Sequence, residues 1–118
     1  MSQTYRKLQV WVRSKALAVS VYRLTAKPPL SSDFGLRDQL RRAAVSVCSN
    51  IAEGDARQGA KETVQFLYIA KGSLAEVSTQ LEIAAEVYPA GAEEIAAHVR
   101  ECDEISAMLQ SLINHRRA

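Results

Sequence analysis

The stretch that decides the fold is QLRRAAVSVCSNIAEG, which runs from Gln39 to Gly54. At 3.6 residues per turn, its apolar residues return to one side of a helix that begins upstream. Together with Leu36, these residues are Leu40, Ala43, Ala44, Val47 and Ile51. We expect Gly54 to end the helix, as glycine often does. The pattern therefore predicts an amphipathic α-helix with this side in a hydrophobic core.

A second face of the same helix is polar. We define the polar seam as Gln39, Arg42, Ser46, Asn50 and Glu53. Such side chains can hydrogen-bond across a helix interface and fix its register, since a buried polar group left unpaired costs about 1–3 kcal/mol. We expect Arg42 and Glu53 to pair with the third helix, for example at Glu76, or with a neighbouring subunit. The seam is thus predicted to be structural, and a polar pocket or an axial channel in a ring of subunits is the alternative.

A third face is small and apolar. It carries Val45, Cys48 and Ala52. A helix that is apolar or small over much more than the usual ~100° stripe is expected to be buried against more than its own bundle. We therefore predict that this helix also packs against another copy of the chain.

The rest of the chain repeats helical patterns separated by breaks. Pro28 and Pro29 end the first helix, because proline lacks an N–H donor and favours extended backbone before it. From Ala60 to Tyr88 apolar residues recur every seven positions, as in helices of four-helix bundles. Gly72 costs this third helix about 1 kcal/mol relative to alanine, and we expect the close approach of another helix to compensate. The predicted helices cover residues 5–25, 32–54, 60–88 and 92–115.

Composition limits the fold class. The chain has 118 residues, of which 47% are hydrophobic and 6% aromatic, so residues 1–118 fit one domain with an aliphatic core. No strand-like alternation persists, and we predict an all-α fold, an up-down-up-down antiparallel four-helix bundle. No apolar run approaches the ~20 residues that span a bilayer, and no signal-like segment opens the chain. We therefore expect a cytoplasmic protein with no membrane partner.

Four motifs resemble those of one known family. They are QLRRAAVS at 39–46, SNIAEG at 49–54, Arg57, and FLYIAKGSLAE at 66–76. The chain resembles, over nearly its whole length, the four-helix-bundle proteins encoded in intervening sequences of bacterial 23S ribosomal RNA genes, often labelled S23 ribosomal protein. That family is itself similar to the accessory proteins of diversity-generating retroelements. The resemblance implies a ring-like homo-oligomer, a homopentamer, whose partner is rRNA, another nucleic acid or a reverse transcriptase.

The side chains that catalysis or metal binding needs are not arranged for either. His98 and Cys102 stand four residues apart on one helix face, but this face is apolar and no second pair has matching spacing. Cys48 and Cys102 are expected to be reduced and to act as small apolar residues. No glycine-rich phosphate loop occurs, and no nucleophile has a recognisable base partner. We expect no enzyme activity, no catalytic residue, no metal and no cofactor.

Charge is divided unevenly along the chain. From Met1 to Lys61, eleven Lys and Arg oppose four Asp and Glu, a net charge of +7; from Glu62 onward the numbers are four and nine, a net charge of −5. The two halves can attract each other within or between subunits, or the first two helices can present a basic surface to phosphate. The candidate nucleic-acid-binding residues are Arg37, Arg41, Arg57 and Lys61 at helix two and its following turn, and Arg6, Lys7, Arg13 and Lys15 on helix one. Because few aromatic residues lie among them, a platform for stacking unpaired bases is not expected.

These features lead to one functional prediction with an alternative. We predict a non-catalytic, ring-like homo-oligomer that binds structured RNA, or an RNA-handling protein, through its basic N-terminal hairpin. The alternative is a structural protein–protein interaction scaffold with no nucleic-acid role, in which the charge asymmetry serves subunit assembly. Both interpretations fit the residues.

Overall fold

A computed structural model describes residues 4–117 as four α-helices joined by short connections. The helices are α1 (Gln9–Thr25), α2 (Phe34–Asp55), α3 (Ala60–Val87) and α4 (Ala92–Arg117). Single 3₁₀ turns precede α1 at Thr4–Lys7, α2 at Leu30–Ser32 and α4 at Pro89–Gly91. No strand occurs within residues 4–117. The prediction of an all-α fold with four helices is confirmed.

Neighbouring helices run antiparallel, and contacts between α2 and α3 show this directly. Near the turn that joins them, the Thr63 hydroxyl donates to the backbone oxygen of Gly54 at 2.9 Å. Far from that turn, the Gln80 amide donates to Gln39 Oε1 at 3.2 Å. Residues that lie later in α3 therefore meet residues that lie earlier in α2.

The same relation holds between the first and last helices. Arg13 near the start of α1 pairs with Glu101 in the middle of α4, whereas Lys27 beyond the end of α1 pairs with Glu94 near the start of α4. The bundle is about twice as long as it is wide, with extents of 45 × 23 × 20 Å. Each helix within residues 4–117 is too polar or too short to serve as a bilayer-spanning segment.

The core is aliphatic, as composition indicates. Each helix buries residues at three- and four-residue spacing, and these side chains meet along the bundle axis. The largest fully buried side chains are Leu17, Val21, Leu40, Val47, Ile51, Leu67, Leu74, Val77, Leu81, Ile105, Leu109 and Ile113. The apolar face of α2 and the seven-residue repeat of α3 supply seven of these twelve side chains. The residues that predict these two helices are therefore also the residues that pack them into the core.

Gly54 differs from its predicted role. Helix α2 continues through Gly54 to Asp55, and no glycine in the described residues has a positive φ. A Cβ built on Gly54 would lie 3.0 Å from Phe66 Cβ and 3.2 Å from the backbone oxygen of Thr63. The prediction that Gly54 ends the helix is therefore wrong, because its missing side chain serves the close approach of α3 to α2.

Gly72 also differs from its predicted role within the subunit. Nothing in the described part of the chain lies within 4 Å of a Cβ built there, and the residue is exposed. The expected close helix neighbour is therefore not supplied by residues 4–117 of the same chain.

Helix α2 begins at an Asp33 cap that also ties in the end of α3. Asp33 Oδ1 accepts from the backbone N–H of Leu36 at 3.2 Å, and Asp33 Oδ2 accepts from the Tyr88 hydroxyl at 2.7 Å. Both donors stabilise the ionised carboxylate, so the pKa of Asp33 is held below its ordinary value, first by Tyr88 and then by Leu36. This one side chain joins the connection before α2 to the residue that follows α3.

Replacing Tyr88 by Phe should make the protein less tolerant of acid. An aspartate whose pKa is lower in the folded chain stabilises the fold above its unfolded pKa, and that contribution is lost as pH falls through the folded pKa. Without the Tyr88 hydroxyl, the pKa of Asp33 should rise toward the ordinary 3.8, and acid unfolding should begin at higher pH. NMR titration of the Asp33 carboxyl and circular dichroism against pH measure the two effects. Tyr5→Phe, at the other end of the bundle, is the control, and an unchanged Asp33 titration in Tyr88→Phe would contradict the assignment.

Candidate nucleic-acid interface and exposed surfaces

The eight candidate nucleic-acid-binding residues do not form one surface. Arg37 lies in the first turn of α2, and Arg57 lies just beyond its last residue. At a rise of 1.5 Å per residue these two positions are about 30 Å apart. The structure therefore divides the predicted set between the two ends of the bundle and its sides.

Arg37 and Arg41 are held by their own chain near the start of α2. The Arg37 guanidinium donates to Asp38 Oδ1 at 2.9 Å and to the backbone oxygen of Ser31 at 3.2 Å. Arg41 donates to Thr25 Oγ1 at 2.8 Å and lies 4.5 Å from the centroid of the Tyr22 ring. Arg41 thus attaches α2 to the end of α1, and Arg37 attaches α2 to the 3₁₀ turn that precedes it, so both side chains have a structural role within the subunit.

Arg13 is the centre of an ion-pair cluster between α1 and α4. Its guanidinium lies 2.6 Å from carboxylate oxygens of both Glu101 and Glu104. Hydrogen bonds to Glu101 first, and to Glu104 second, raise the pKa of Arg13 further above its ordinary value. Part of the attraction between the basic and acidic halves of the sequence therefore acts inside one subunit.

The remaining candidates gather at the end of the bundle that holds the α2–α3 turn. The Thr4 hydroxyl donates to Asp55 Oδ2 at 2.6 Å, which places Arg6 and Lys7 beside that turn. Arg57 lies there too, 2.7 Å from Glu53 and 4.7 Å from the centroid of the Phe66 ring. Lys61 is exposed in the first turn of α3.

Two arginines at the end of α4 join this group, and sequence reasoning missed them. Arg116 lies 3.7 Å from Asp55 Oδ1, and Arg117 donates to the Tyr68 hydroxyl at 3.0 Å. The antiparallel topology was the signal that could have found them, since it returns the end of α4 to the α2–α3 turn. We define the basic end as Arg6, Lys7, Arg57, Lys61, Arg116 and Arg117.

Aromatic side chains lie among the cations at and near the basic end. The Tyr5 and Trp11 rings pack edge to face with centroids 5.2 Å apart. Arg6 lies over Tyr5 at 4.8 Å, and Lys15 lies over Trp11 at 5.4 Å. Tyr68 is exposed beside Arg117. The expectation of few aromatic residues near the cations is therefore wrong for this end, because Tyr5 and Trp11 lie beside cations of their own segment and the fold brings Tyr68 to Arg117.

The polar seam lies along the contact between α2 and α3. The Ser46 and Ser73 hydroxyls are hydrogen-bonded at 2.9 Å, and the Asn50 amide donates to Ser46 at its backbone oxygen (2.8 Å) and its hydroxyl (3.0 Å). Farther along, Gln39 accepts from Gln80. Two of the five seam residues, Gln39 and Ser46, thus hydrogen-bond to α3, and Asn50 hydrogen-bonds to Ser46 within α2.

The two charged members of the seam do not pair as expected within the subunit. Glu53 pairs with Arg57, which follows it by four residues in the sequence, and not with a residue of α3. Arg42 lines a cleft together with Glu76, but the structure gives no ion pair between them in the described residues. Gln80 Oε1, in the same cleft, is buried without a hydrogen-bond partner in that part of the chain.

Large apolar side chains form two exposed surfaces on the subunit. The first apolar surface, on α1 and α2, comprises Val12, Val19, Tyr22 and Val45, each at least 40% exposed. The second apolar surface, on α3, comprises Ile69, Ile83 and Val87, which are 51%, 48% and 56% exposed. Exposed apolar groups gathered on one side of a helix are typical of interaction sites.

The two thiols lie in environments that suppress their reactivity. Burial raises the pKa of the Cys102 thiol to about 12, and burial also raises the pKa of Cys48. A thiol kept protonated is a poor nucleophile and a poor metal ligand. Among residues 4–117, no three His, Cys, Asp or Glu side chains are grouped closely enough to hold a metal ion.

Comparisons with known proteins bear on the family. The chain matches the profile of the 23S rRNA-intervening sequence protein family over residues 6–111. No curated protein matches it. A crystal structure of a protein of unknown function from the S23 ribosomal protein family of Bacteroides thetaiotaomicron has the same fold, with a TM-score of 0.80 and 23% identity over 88% of this chain and 97% of that one. Because the family profile spans most of its length, the chain belongs to the 23S rRNA-intervening sequence protein family.

Proposed function

We propose that the chain is a non-catalytic subunit of a ring-like homo-oligomer that binds structured RNA through its basic end. The five-fold number is the one implied by its resemblance to retroelement accessory proteins. The observation that carries the proposal is the pairing of two exposed apolar surfaces with one basic end on a single subunit.

The two apolar surfaces support assembly. They lie on different helices, so the contact that buries one against the other is head-to-tail, and such contacts close into rings when the rotation between subunits allows it. Lys15 and Arg41 lie beside the first surface, whereas Glu76 stands between Ile69 and Ile83 in the seven-residue repeat of the second. Opposite charges at the two surfaces favour their contact and help to fix its register.

The basic end supports a polyanionic partner. It brings together six cations from the N-terminal segment, the α2–α3 turn and the end of α4. Only two of the six, Arg57 and Arg116, have carboxylate partners in the described residues. Lys and Arg contacts to phosphate give affinity with little sequence preference, which suits recognition of an RNA backbone.

Salt dependence of binding tests the RNA proposal. Fluorescence anisotropy of a labelled RNA hairpin should show binding at low salt, with the logarithm of the association constant falling linearly against the logarithm of salt concentration. The double variant Arg6→Ala/Arg57→Ala should reduce that slope by roughly 0.7–0.9 for each phosphate that it no longer binds. Arg100→Ala, an exposed arginine in the middle of α4, is the matched control and should leave the slope unchanged.

The alternative is an interaction scaffold with no nucleic-acid role. The Arg13–Glu101–Glu104 cluster and the Lys27–Glu94 pair favour it, because they use opposite charges to hold the subunit together. An assembled protein that binds no RNA hairpin at low salt would support this alternative and overturn the RNA proposal.

A further inference from the structure

A cleft at the basic end has the composition of a nucleotide site. It lies between the first turns of α3 and the last turn of α4, with a volume of about 590 Å³. Its lining residues are Ala60, Lys61, Val64, Gln65, Tyr68 and Arg117. This volume falls in the range of roughly 300–1,000 Å³ that holds small organic ligands. The cleft therefore combines two cations, one aromatic ring, one amide and an apolar floor.

The aromatic ring is positioned and partly exposed. Tyr68 is 43% exposed, and its hydroxyl accepts a hydrogen bond from Arg117 Nη1 at 3.0 Å. That contact fixes the ring beside a guanidinium and leaves the other guanidinium donors of Arg117 available in the described structure. An exposed ring with a neighbouring cation is the arrangement on which unpaired bases stack, while the cation meets the phosphate.

The charged residues that line the cleft favour an anionic ligand. Lys61 and Arg117 line it from two helices, and Glu62, the nearest acid in sequence, is not among the lining residues. The N–H groups in the first turn of α3 have no side-chain cap from Gly59, so the start of the helix adds partial positive charge at the same place. A paired base cannot reach Tyr68 because its faces are covered in the duplex, whereas a base at an overhang or bulge can.

We propose that this cleft binds one unpaired nucleotide of an RNA, with its base stacked on Tyr68 and its phosphate held by Lys61 and Arg117. The inference rests on the proposed function, since it names the part of the RNA that the basic end recognises. It adds a preference for unpaired nucleotides that phosphate contacts alone do not produce.

The test uses fluorescence anisotropy to compare two labelled RNA hairpins that have equal numbers of phosphates. The strands of each hairpin are joined by a non-nucleotide linker, so that neither has unpaired loop bases. One carries an unpaired dinucleotide at its 3′ end, and the other has the same nucleotides inside its stem. The wild-type protein should bind the overhang hairpin more tightly, and Tyr68→Leu should remove a preference of roughly 5- to 150-fold, the range that one stacked base supplies. Tyr68→Phe retains the ring and should retain the preference.

Two further sets of variants separate stacking from charge. Phe34→Leu is the matched control, because Phe34 is an exposed ring under Arg37 at the opposite end of the bundle, and it should leave the preference unchanged. Lys61→Ala and Arg117→Ala should weaken the binding of both hairpins. Circular dichroism confirms that each variant is folded before binding is measured.

The failures of the two proposals are distinguishable. If neither hairpin binds at low salt, the proposed RNA function fails, and this inference fails with it. If both hairpins bind equally, or if Tyr68→Leu retains the preference, the nucleotide cleft alone is overturned and the RNA function stands.

Discussion

Ile83→Glu should convert the proposed assembly into single subunits. Ile83 lies between Ile69 and Val87 on the second apolar surface and is 48% exposed in the subunit. Within an assembly, a glutamate there would lose its hydration against apolar groups, and an unpaired buried charge costs several kcal/mol. The new carboxylate would also lie two helical turns after Glu76, which carries the same charge. Sedimentation velocity at micromolar concentration should show the mass of the ring for the wild type and that of one chain for the variant.

The fold of the subunit should survive this change, which keeps the result interpretable. Ile83 is outside the core, so circular dichroism of Ile83→Glu should match that of the wild type. Ala75→Glu is the control, because Ala75 is exposed on the same helix but lines the groove between α3 and α4. A wild-type protein that sediments as one chain, or an Ile83→Glu variant that stays assembled, would disprove the proposed subunit contact.

Much of the fold is predictable because its signal is periodic. Leu40, Val47 and Ile51, the centre of the α2 stripe, have no exposed surface, and Leu67, Leu74 and Leu81 of the α3 repeat are almost as buried. Each of these positions follows from helix geometry and burial alone. Pro28 and Pro29 follow the end of α1, and the connections between consecutive helices are short. Short connections favour an antiparallel arrangement of neighbouring helices.

The candidate site was less predictable because it depends on contacts between distant segments. The sequence grouped Arg37 with Arg57 since both lie in helix two or its following turn, but a helix of 22 residues holds its ends far apart. Arg117 and Tyr68 come together only when α4 returns to the α2–α3 turn. The same limit applies to the polar seam, where the residues were recognisable but the partners Ser73 and Gln80 depend on the register between α2 and α3.

Gly54→Ala should destabilise the subunit, although the same change inside a helix ordinarily stabilises it. Alanine is favoured over glycine by about 1 kcal/mol in a helix interior. At Gly54, however, the added Cβ would lie 3.0 Å from Phe66 Cβ and 3.2 Å from the backbone oxygen of Thr63. Neither atom is the end of a flexible side chain, so α3 must move away from α2. Overpacking of this kind costs about 1–3 kcal/mol, and after the helix-propensity gain is subtracted the free energy of unfolding in denaturant should fall by up to about 2 kcal/mol.

A buried hydrogen bond between α2 and α3 adds to the cost of moving α3 away from Gly54. The Thr63 hydroxyl donates to the backbone oxygen of Gly54, and Thr63 is buried, so separating the helices there also weakens a buried hydrogen bond. Gly35→Ala is the matched control, since it makes the same change in the same helix at a position with nothing within 4 Å of the new Cβ. Its free energy of unfolding should stay equal or rise by a few tenths of a kcal/mol, because only helix propensity acts there. Equal responses of the two variants would mean that close contact between α2 and α3 is not what requires glycine at position 54.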